Sequence, residues 1–186
     1  MQRVACWKRA RCHVGLLPRV QERPPDRLMD DEVAALARLP EPFGFVIRLG
    51  LGTGLRWGEL CRAQATDVER DMLVVSQTKS GRVRRIPLSP ELLAEVRERV
   101  GRLVGFSAEH PGGYARAVRR LSGASRFHVH QLRHTFACRW LERGGSLAAL
   151  QQILGHSSVV TTQRYARMDE DAVRDEARKV GTVEEP

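Results

Sequence analysis

Apolar residues recur at helical spacing in several stretches of this 186-residue chain. Asp30 and Ser146 stand where helix N-caps are preferred, and Pro42 stands where a helix start tolerates proline. The glycines within 50–54 predict a turn between packed helices. Helices are therefore predicted over about 31–39, 43–51, 55–65, 90–103, 114–121, 130–143 and 147–154.

Two short stretches instead show the residue preferences of β-strands. These are 72–76 and 83–88, and Lys79 with Ser80 and Gly81 between them predicts the turn of a β-hairpin. The predicted fold class is mainly α with a small antiparallel β-sheet (α+β).

The chain length favours one main domain, which we place at 28–168. Residues 1–27 mix basic residues and prolines without periodicity, which predicts a poorly ordered basic arm or linker. Residues 169–186 are highly charged and predict a C-terminal helix and tail.

The formal net charge is +9 at pH 7, which favours a polyanionic partner such as nucleic acid. The last segment, 169–186, departs from this balance, with seven acidic against three basic residues. Charge alone leaves open a soluble basic protein with no role in nucleic-acid binding.

The four cysteines form no C-x-x-C pair, which favours free thiols in a reducing compartment. Cys6, Cys12 and His13 are too irregularly spaced to favour a metal cluster. The first residues lack the apolar core of a signal peptide, and no apolar run reaches the roughly 20 residues that span a bilayer. We therefore expect a cytoplasmic protein with no membrane partner.

His130 and Arg133 form the sharpest local feature, because they share a face on the first turn of the predicted helix 130–143. Free N–H groups and the positive dipole end of a helix also suit a phosphate oxygen there. An alternative is a zinc-dependent hydrolase that uses His128, His130 and His134. The segment lacks the Glu of an H-E-x-x-H motif and any other carboxylate.

Three segments carry a resemblance to a known family: TGLRWGEL (53–60), HQLRHTFA (130–137) and LGHSSVVTTQRYA (154–166). In sequence and in order they resemble the motifs of tyrosine recombinases of the phage integrase type, in their catalytic domain. The resemblance implies the fold of that domain, double-stranded DNA as partner, and strand cleavage through a 3′-phosphotyrosine. It implies no metal or other cofactor. It also implies six site residues, Arg56, Lys79, His130, Arg133, His156 and Tyr165.

By this resemblance, Arg56 and Arg133 grip the scissile phosphate. Arginine suits that role because its guanidinium stays charged and donates paired hydrogen bonds in a fixed fork. Glu59 is expected to have a structural role, orienting Arg56 or a neighbouring group. The basic residues Arg82, Arg84 and Arg85 offer a further possibility, contact with the DNA backbone.

The same resemblance makes Tyr165 the nucleophile, and Tyr114 is the one other tyrosine in the chain. His130 would assist removal of the tyrosine proton, and His156 would hydrogen-bond a non-bridging phosphate oxygen. Lys79 would protonate the departing 5′ oxygen.

Relatives in this family usually carry another DNA-binding domain ahead of the catalytic one, and only about 27 residues precede the first predicted helix here. An alternative function is therefore a DNA-binding recombinase fragment that cannot recombine on its own. The segment 169–180 lies where relatives dock on a neighbouring protomer, which implies a homo-oligomer, a tetramer, on DNA.

Overall fold

The computed structural model describes residues 26–76 and 83–155. Within them, the helices are α1 (Asp30–Ala37), α2 (Phe43–Thr53), α3 (Trp57–Arg62), α4 (Pro90–Arg97), α5 (Pro111–Ser122), α6 (His130–Glu142) and α7 (Leu147–Leu154), with a 3₁₀ turn at Ala65–Asp67. The strands are β1 (Val68–Glu69), β2 (Met72–Val75) and β3 (Arg84–Pro87). The predicted mainly α fold with a small antiparallel sheet is confirmed.

The sheet has the order β1-β2-β3, and both strand pairs are antiparallel. Leu73 of β2 pairs with Ile86 of β3, and Val75 pairs with Arg84, so all four side chains lie on one face. That face is buried and β3 packs against α7. β1 was missed in the prediction because two residues are too few to show a strand periodicity.

Helix α2 lies at the centre of the hydrophobic core. Phe45, Val46, Ile47 and Leu49 are completely buried, as its apolar sequence predicts. The helix packs mainly against α6. A Cβ on Gly50 would lie 2.8 Å from Leu132 Cδ1, so this glycine allows the two helices to approach closely.

The glycine-rich segment after residue 49 was predicted as a turn, and this was wrong for its first half. Gly50 and Gly52 lie inside α2, and the helix ends only at Gly54, which has a left-handed conformation. The helix continues through Thr53. The side chain of Thr53 is buried, and its hydroxyl donates a hydrogen bond to Leu49 O. Close packing rather than chain reversal therefore accounts for Gly50.

Several helix boundaries also differ from the prediction: α3 spans Trp57–Arg62 instead of 55–65, and α5 begins at Pro111 instead of 114. α1 begins one residue early, because Met29 rather than Asp30 is its N-cap and the Met29 N–H donates to Glu32. α4 ends at Arg97 instead of 103, and Val100, predicted on the apolar face, is 95% exposed. The chain there turns to pair with another segment, since Ala63 O accepts from the Leu103 N–H.

The segment 26–30, which leads into α1, lies along α6. Leu28 is buried in the hydrophobic core. Polar contacts follow one another along the helix: Asp26 with Gln131, Leu28 with Thr135, Asp30 with Arg139, and Arg27 with Glu142. The start of the described chain is therefore fixed to α6 as well as to α1.

No helix within 26–76 and 83–155 is long and apolar enough to cross a membrane. Cys61 and Cys138 are free thiols, as expected, and burial raises the pKa of Cys61 to about 11. Cys6, Cys12 and His13 lie outside the described residues, as do the predicted segments 1–25 and 169–186.

Candidate active site

Three of the six predicted site residues lie in the described part. Arg56 caps the start of α3, and His130 and Arg133 lie on the first turn of α6. Lys79, His156 and Tyr165 lie outside the described residues. The structure describes the elements that border two of them, because β2 and β3 flank the segment with Lys79 and α7 ends just before His156.

Arg133 connects two elements that are far apart in sequence. Its side chain is buried, with the residue only 4% exposed. Nη1 donates to Gly54 O at 2.8 Å, and Nη2 donates to Leu154 O, also at 2.8 Å. The guanidinium therefore holds the turn before Arg56 next to the end of α7, and so brings the first two sequence motifs together with Leu154, the first residue of the third.

Arg56 is more open than Arg133, with 39% of its side-chain surface exposed. Glu59 holds it from one side, accepting from the Arg56 N–H at 2.8 Å and from Nη1 at 3.2 Å. The predicted structural role of Glu59 agrees with these contacts. An exposed guanidinium held by one carboxylate is suited to bind an anion with its outer edge.

Arg84 is not a surface residue available to DNA, which corrects one expectation for the basic run. It is 8% exposed and forms an ion pair with Glu59, Nη2 to Oε2, at 2.7 Å. Burial opposes ionisation of Glu59, but hydrogen bonds from Arg84 and the Arg56 backbone outweigh it, so the pKa of Glu59 lies below its usual range. Arg85, by contrast, is exposed beside Glu69.

His130 is exposed at the start of α6 and lies edge-on to His134, with ring centroids 5.2 Å apart. Partial desolvation of its ring lowers the pKa of His130, and the positive charges of Arg133, His128 and Arg56 lower it further. A neutral His130 at pH 7 has a ring nitrogen that can accept a proton.

Replacing His134 with Gln is expected to reduce the loss of stability in acid. Burial, reinforced by His130 and other positive neighbours, lowers the pKa of His134 from 6.5 to about 4. As pH falls from 6.5 towards 4, the unfolded chain therefore binds a proton that the folded chain does not. The free energy of unfolding therefore falls as the pH drops through this window. At pH 5 the loss is on the order of 2 kcal/mol relative to the value above pH 6.5.

Urea unfolding at pH 7 and pH 5 measures this effect. The control is His110→Gln, because His110 is exposed at the N-cap of a different helix, α5. The free energy of unfolding of His134→Gln should change less between the two pH values than that of the wild type or the control. Parallel changes in all three proteins would contradict the assignment.

His128 and Asp26 bear on the zinc alternative. His128 Nε2 lies 3.0 Å from Asp26 Oδ2, and Gln131 donates to the other oxygen of the same carboxylate. His128 is thus held by Asp26 at the N-terminus of α6. In the described part of the chain, no three His, Cys, Asp or Glu residues are grouped as metal ligands.

Tyr114, the other tyrosine, is built into the core. It is 3% exposed and packs with Trp57 and Phe106, at ring-centroid distances of 5.0 and 4.9 Å. Its hydroxyl donates to Phe43 O at 3.0 Å, and burial strongly raises its pKa. Tyr114 cannot reach a DNA phosphate without unfolding this aromatic cluster.

Arg84 is the residue whose place sequence reasoning missed. A signal was available in the strand alternation, because Arg84 and Ile86 are two residues apart and must share a face. Burial of Ile86 thus implies that Arg84 also points inward. A buried arginine requires a carboxylate or carbonyl partner, and Glu59 is the buried acid in the motif 53–60.

Comparison with known sequences points to one family. A profile described as the phage integrase family matches residues 27–171. The chain is 32% identical over 192 residues to tyrosine recombinase XerC of Xylella fastidiosa (strain 9a5c), covering 88% of this chain and 65% of that protein. It is 36% identical over 124 residues to the integrase of Haemophilus phage HP1, covering 66% of this chain and 36% of that protein.

Solved structures agree. The catalytic domain of bacteriophage HP1 integrase superimposes with a TM-score of 0.67 at 27% identity, covering 82% of this chain and 93% of that one. XerA recombinase gives 0.68 at 26% identity, covering 84% of this chain and 65% of that one. The chain therefore spans nearly all of a separate catalytic domain, but less than two thirds of the length of the two sequence relatives above.

Proposed function

We propose, since this chain belongs to the phage integrase family, that it is a site-specific tyrosine recombinase that cleaves and rejoins double-stranded DNA through a 3′-phosphotyrosine. The observation that carries the proposal is the pair of Arg133 contacts. They hold Gly54, two residues before Arg56, next to Leu154, two residues before His156. These contacts support the inference that cationic and hydrogen-bonding side chains from separate motifs meet one phosphate.

In the proposed reaction, Arg56 and Arg133 neutralise charge that spreads over the non-bridging oxygens of the scissile phosphate, and His156 donates a hydrogen bond to one of them. The partly exposed side chain of Arg56 supports this role, and the buried contacts of Arg133 fix the geometry around it. Preorganised donors of this kind need no rearrangement as charge develops.

The Tyr165 hydroxyl oxygen attacks phosphorus, and the bond from phosphorus to the 5′ oxygen breaks. His130 accepts the tyrosine proton, and Lys79 supplies a proton to the departing 5′ oxygen. The lowered pKa of His130 supports its role as acceptor. Attack by a 5′ hydroxyl on the phosphotyrosine reverses these steps, so the energy of the phosphodiester is conserved and no nucleotide or metal enters the scheme.

Double-stranded DNA is the proposed partner, and a homotetramer on two DNA sites is the proposed assembly. The net charge of +9 supports a polyanionic partner. Two solved structures with the same fold are described with bound DNA, a transposon integrase with its transposon end and XerH with a difH substrate. We place the protein in the cytoplasm, where it meets DNA.

A plasmid assay tests the proposal without knowledge of the target site. The chain is incubated with supercoiled plasmid in EDTA and quenched with SDS. We expect relaxed plasmid and covalent protein–DNA adducts, because the reaction requires no metal. Nuclease and protease digestion followed by mass spectrometry should place the nucleotide adduct on Tyr165.

Other outcomes distinguish the alternatives. Cleavage that appears only with added zinc and leaves no adduct would favour a zinc-dependent hydrolase over a recombinase. DNA binding without relaxation or adducts, on plasmid and on a cognate site from the host element, would favour a DNA-binding fragment.

A further inference from the structure

Arg84 makes a complete set of buried contacts that the proposed chemistry does not use. Its Nε donates to Ile153 O at 2.7 Å, while Nη1 and Nη2 donate to the two carboxylate oxygens of Glu59 at 3.1 and 2.7 Å. All three guanidinium nitrogens thus bind protein oxygens. Arg84 is consequently committed to the interior and is not a phosphate ligand.

These contacts join two sides of the candidate site. Glu59 is the carboxylate that holds the Arg56 backbone and side chain. Ile153 is the penultimate residue of α7, and the next carbonyl, Leu154 O, binds Arg133. Two buried guanidinium groups therefore bind consecutive carbonyls at the negative end of α7, where a helix leaves carbonyls unpaired.

Gly155 completes the arrangement. It has a left-handed conformation with φ of 65°, and a Cβ placed on it would lie 3.2 Å from both Cδ and Nη1 of Arg84. The glycine therefore lets the guanidinium lie against the end of α7. The chain continues from this contact directly into His156.

We propose that Arg84 is a positioning residue of the site. It fixes the end of α7, and with it the chain entering His156, against the Glu59 carboxylate that orients Arg56. Burying an ion pair stabilises a fold little compared with apolar residues of the same size. What this pair adds is a defined geometry between the motif 53–60 and the end of α7, which Arg84 joins through a contact to Ile153 that spans 69 residues. The catalytic part of this inference rests on the proposed function.

Arg84→Lys tests the role, because lysine keeps the positive charge but cannot donate to Ile153 O and both Glu59 oxygens in one fork. Arg48→Lys is the matched control. Arg48 also pairs with a carboxylate through two nitrogens, Nε and Nη2 to Glu95, and also donates to a backbone carbonyl, that of Ala37. None of its partners belongs to the site.

Three quantities are compared with the wild type: deuterium exchange of peptides within 147–155, the dissociation constant for a short fluorescent DNA duplex, and the initial rate of plasmid relaxation in EDTA at saturating protein. For Arg84→Lys we expect faster exchange at the end of α7, a relaxation rate lower by about 10- to 100-fold, and unchanged duplex binding. Arg48→Lys should lower the melting temperature but leave α7 exchange and relaxation unchanged.

A second pair of variants keeps both Arg84 and Glu59 and serves in case Arg84→Lys does not fold. Gly155→Ala adds a methyl group against Arg84, whereas Gly123→Ala imposes similar left-handed strain at the end of α5, where nothing lies within 4 Å. We expect Gly155→Ala to slow relaxation more than Gly123→Ala does, at equal folded fractions.

Wild-type α7 exchange in folded Arg84→Lys, or equal rates for the two glycine variants, would overturn the positioning role. A wild-type protein that forms no adduct would instead reject the recombinase function. In that case α7 exchange still decides whether Arg84 holds the end of the helix, so the two failures are distinguishable.

Discussion

Tyr165→Phe is expected to abolish covalent adducts and to reduce plasmid relaxation by roughly a thousandfold or more, as loss of an enzyme nucleophile does. Tyr114→Phe should leave both activities intact. The chain has two tyrosines, and the Tyr114 hydroxyl is used inside the core by Phe43 O. Each substitution removes one tyrosine hydroxyl, so the difference between their activities identifies the nucleophile.

Tyr114→Phe itself lowers stability, because it removes the hydrogen bond that the tyrosine hydroxyl donates to the carbonyl of Phe43. We expect a loss of about 1 kcal/mol in the free energy of unfolding. Relaxation rates should therefore be compared below the melting transition of both variants. Persistent adducts in Tyr165→Phe, or their loss in Tyr114→Phe, would show that Tyr165 is not the nucleophile.

Arg133→Lys is expected to lower the relaxation rate by about 100-fold or more and to destabilise the fold by about 2 kcal/mol. Lysine places its charge at one point and cannot bind Gly54 O and Leu154 O together as the guanidinium does. One buried carbonyl loses its partner, and the turn before Arg56 is released from the end of α7.

Urea unfolding and relaxation rates, measured on the same preparation, separate the two effects. Arg48→Lys again serves as the control, since it loses partly buried arginine contacts outside the site. It should show a loss of stability without the loss of rate. If Arg133→Lys were destabilised but relaxed plasmid at the wild-type rate, Arg133 would be a structural residue alone.

Local features were predictable from the sequence. Ser146 caps α7 by accepting from the Ala149 N–H, and Gly155 ends the helix, both as predicted. The failures occurred where distant segments compete with local preference. Val100 fits the apolar spacing of α4, but the chain beyond Arg97 pairs with the segment around Ala63. Sequence periodicity contains no information about that partner.

The same distinction between local and long-range features applies to the candidate site. The motifs predict Arg56, His130 and Arg133 as site residues from residue type and spacing alone. The Arg133 contact with Gly54 spans 79 residues and the Arg84 contact with Glu59 spans 25, and neither follows from local pattern. The catalytic roles of all six site residues, including Lys79, His156 and Tyr165, remain predictions from the resemblance.

The attachment of 26–30 to α6 determines how far the chain can be shortened from its N-terminal side. Trimming to the first residue of α1, Asp30, would remove Leu28 from the core and take away the partners of Gln131, Thr135 and Glu142. These partners lie on the helix that carries His130 and Arg133. A cloning boundary or fusion junction placed before residue 26 keeps these contacts to α6. One placed at the start of α1 would remove them and destabilise the helix.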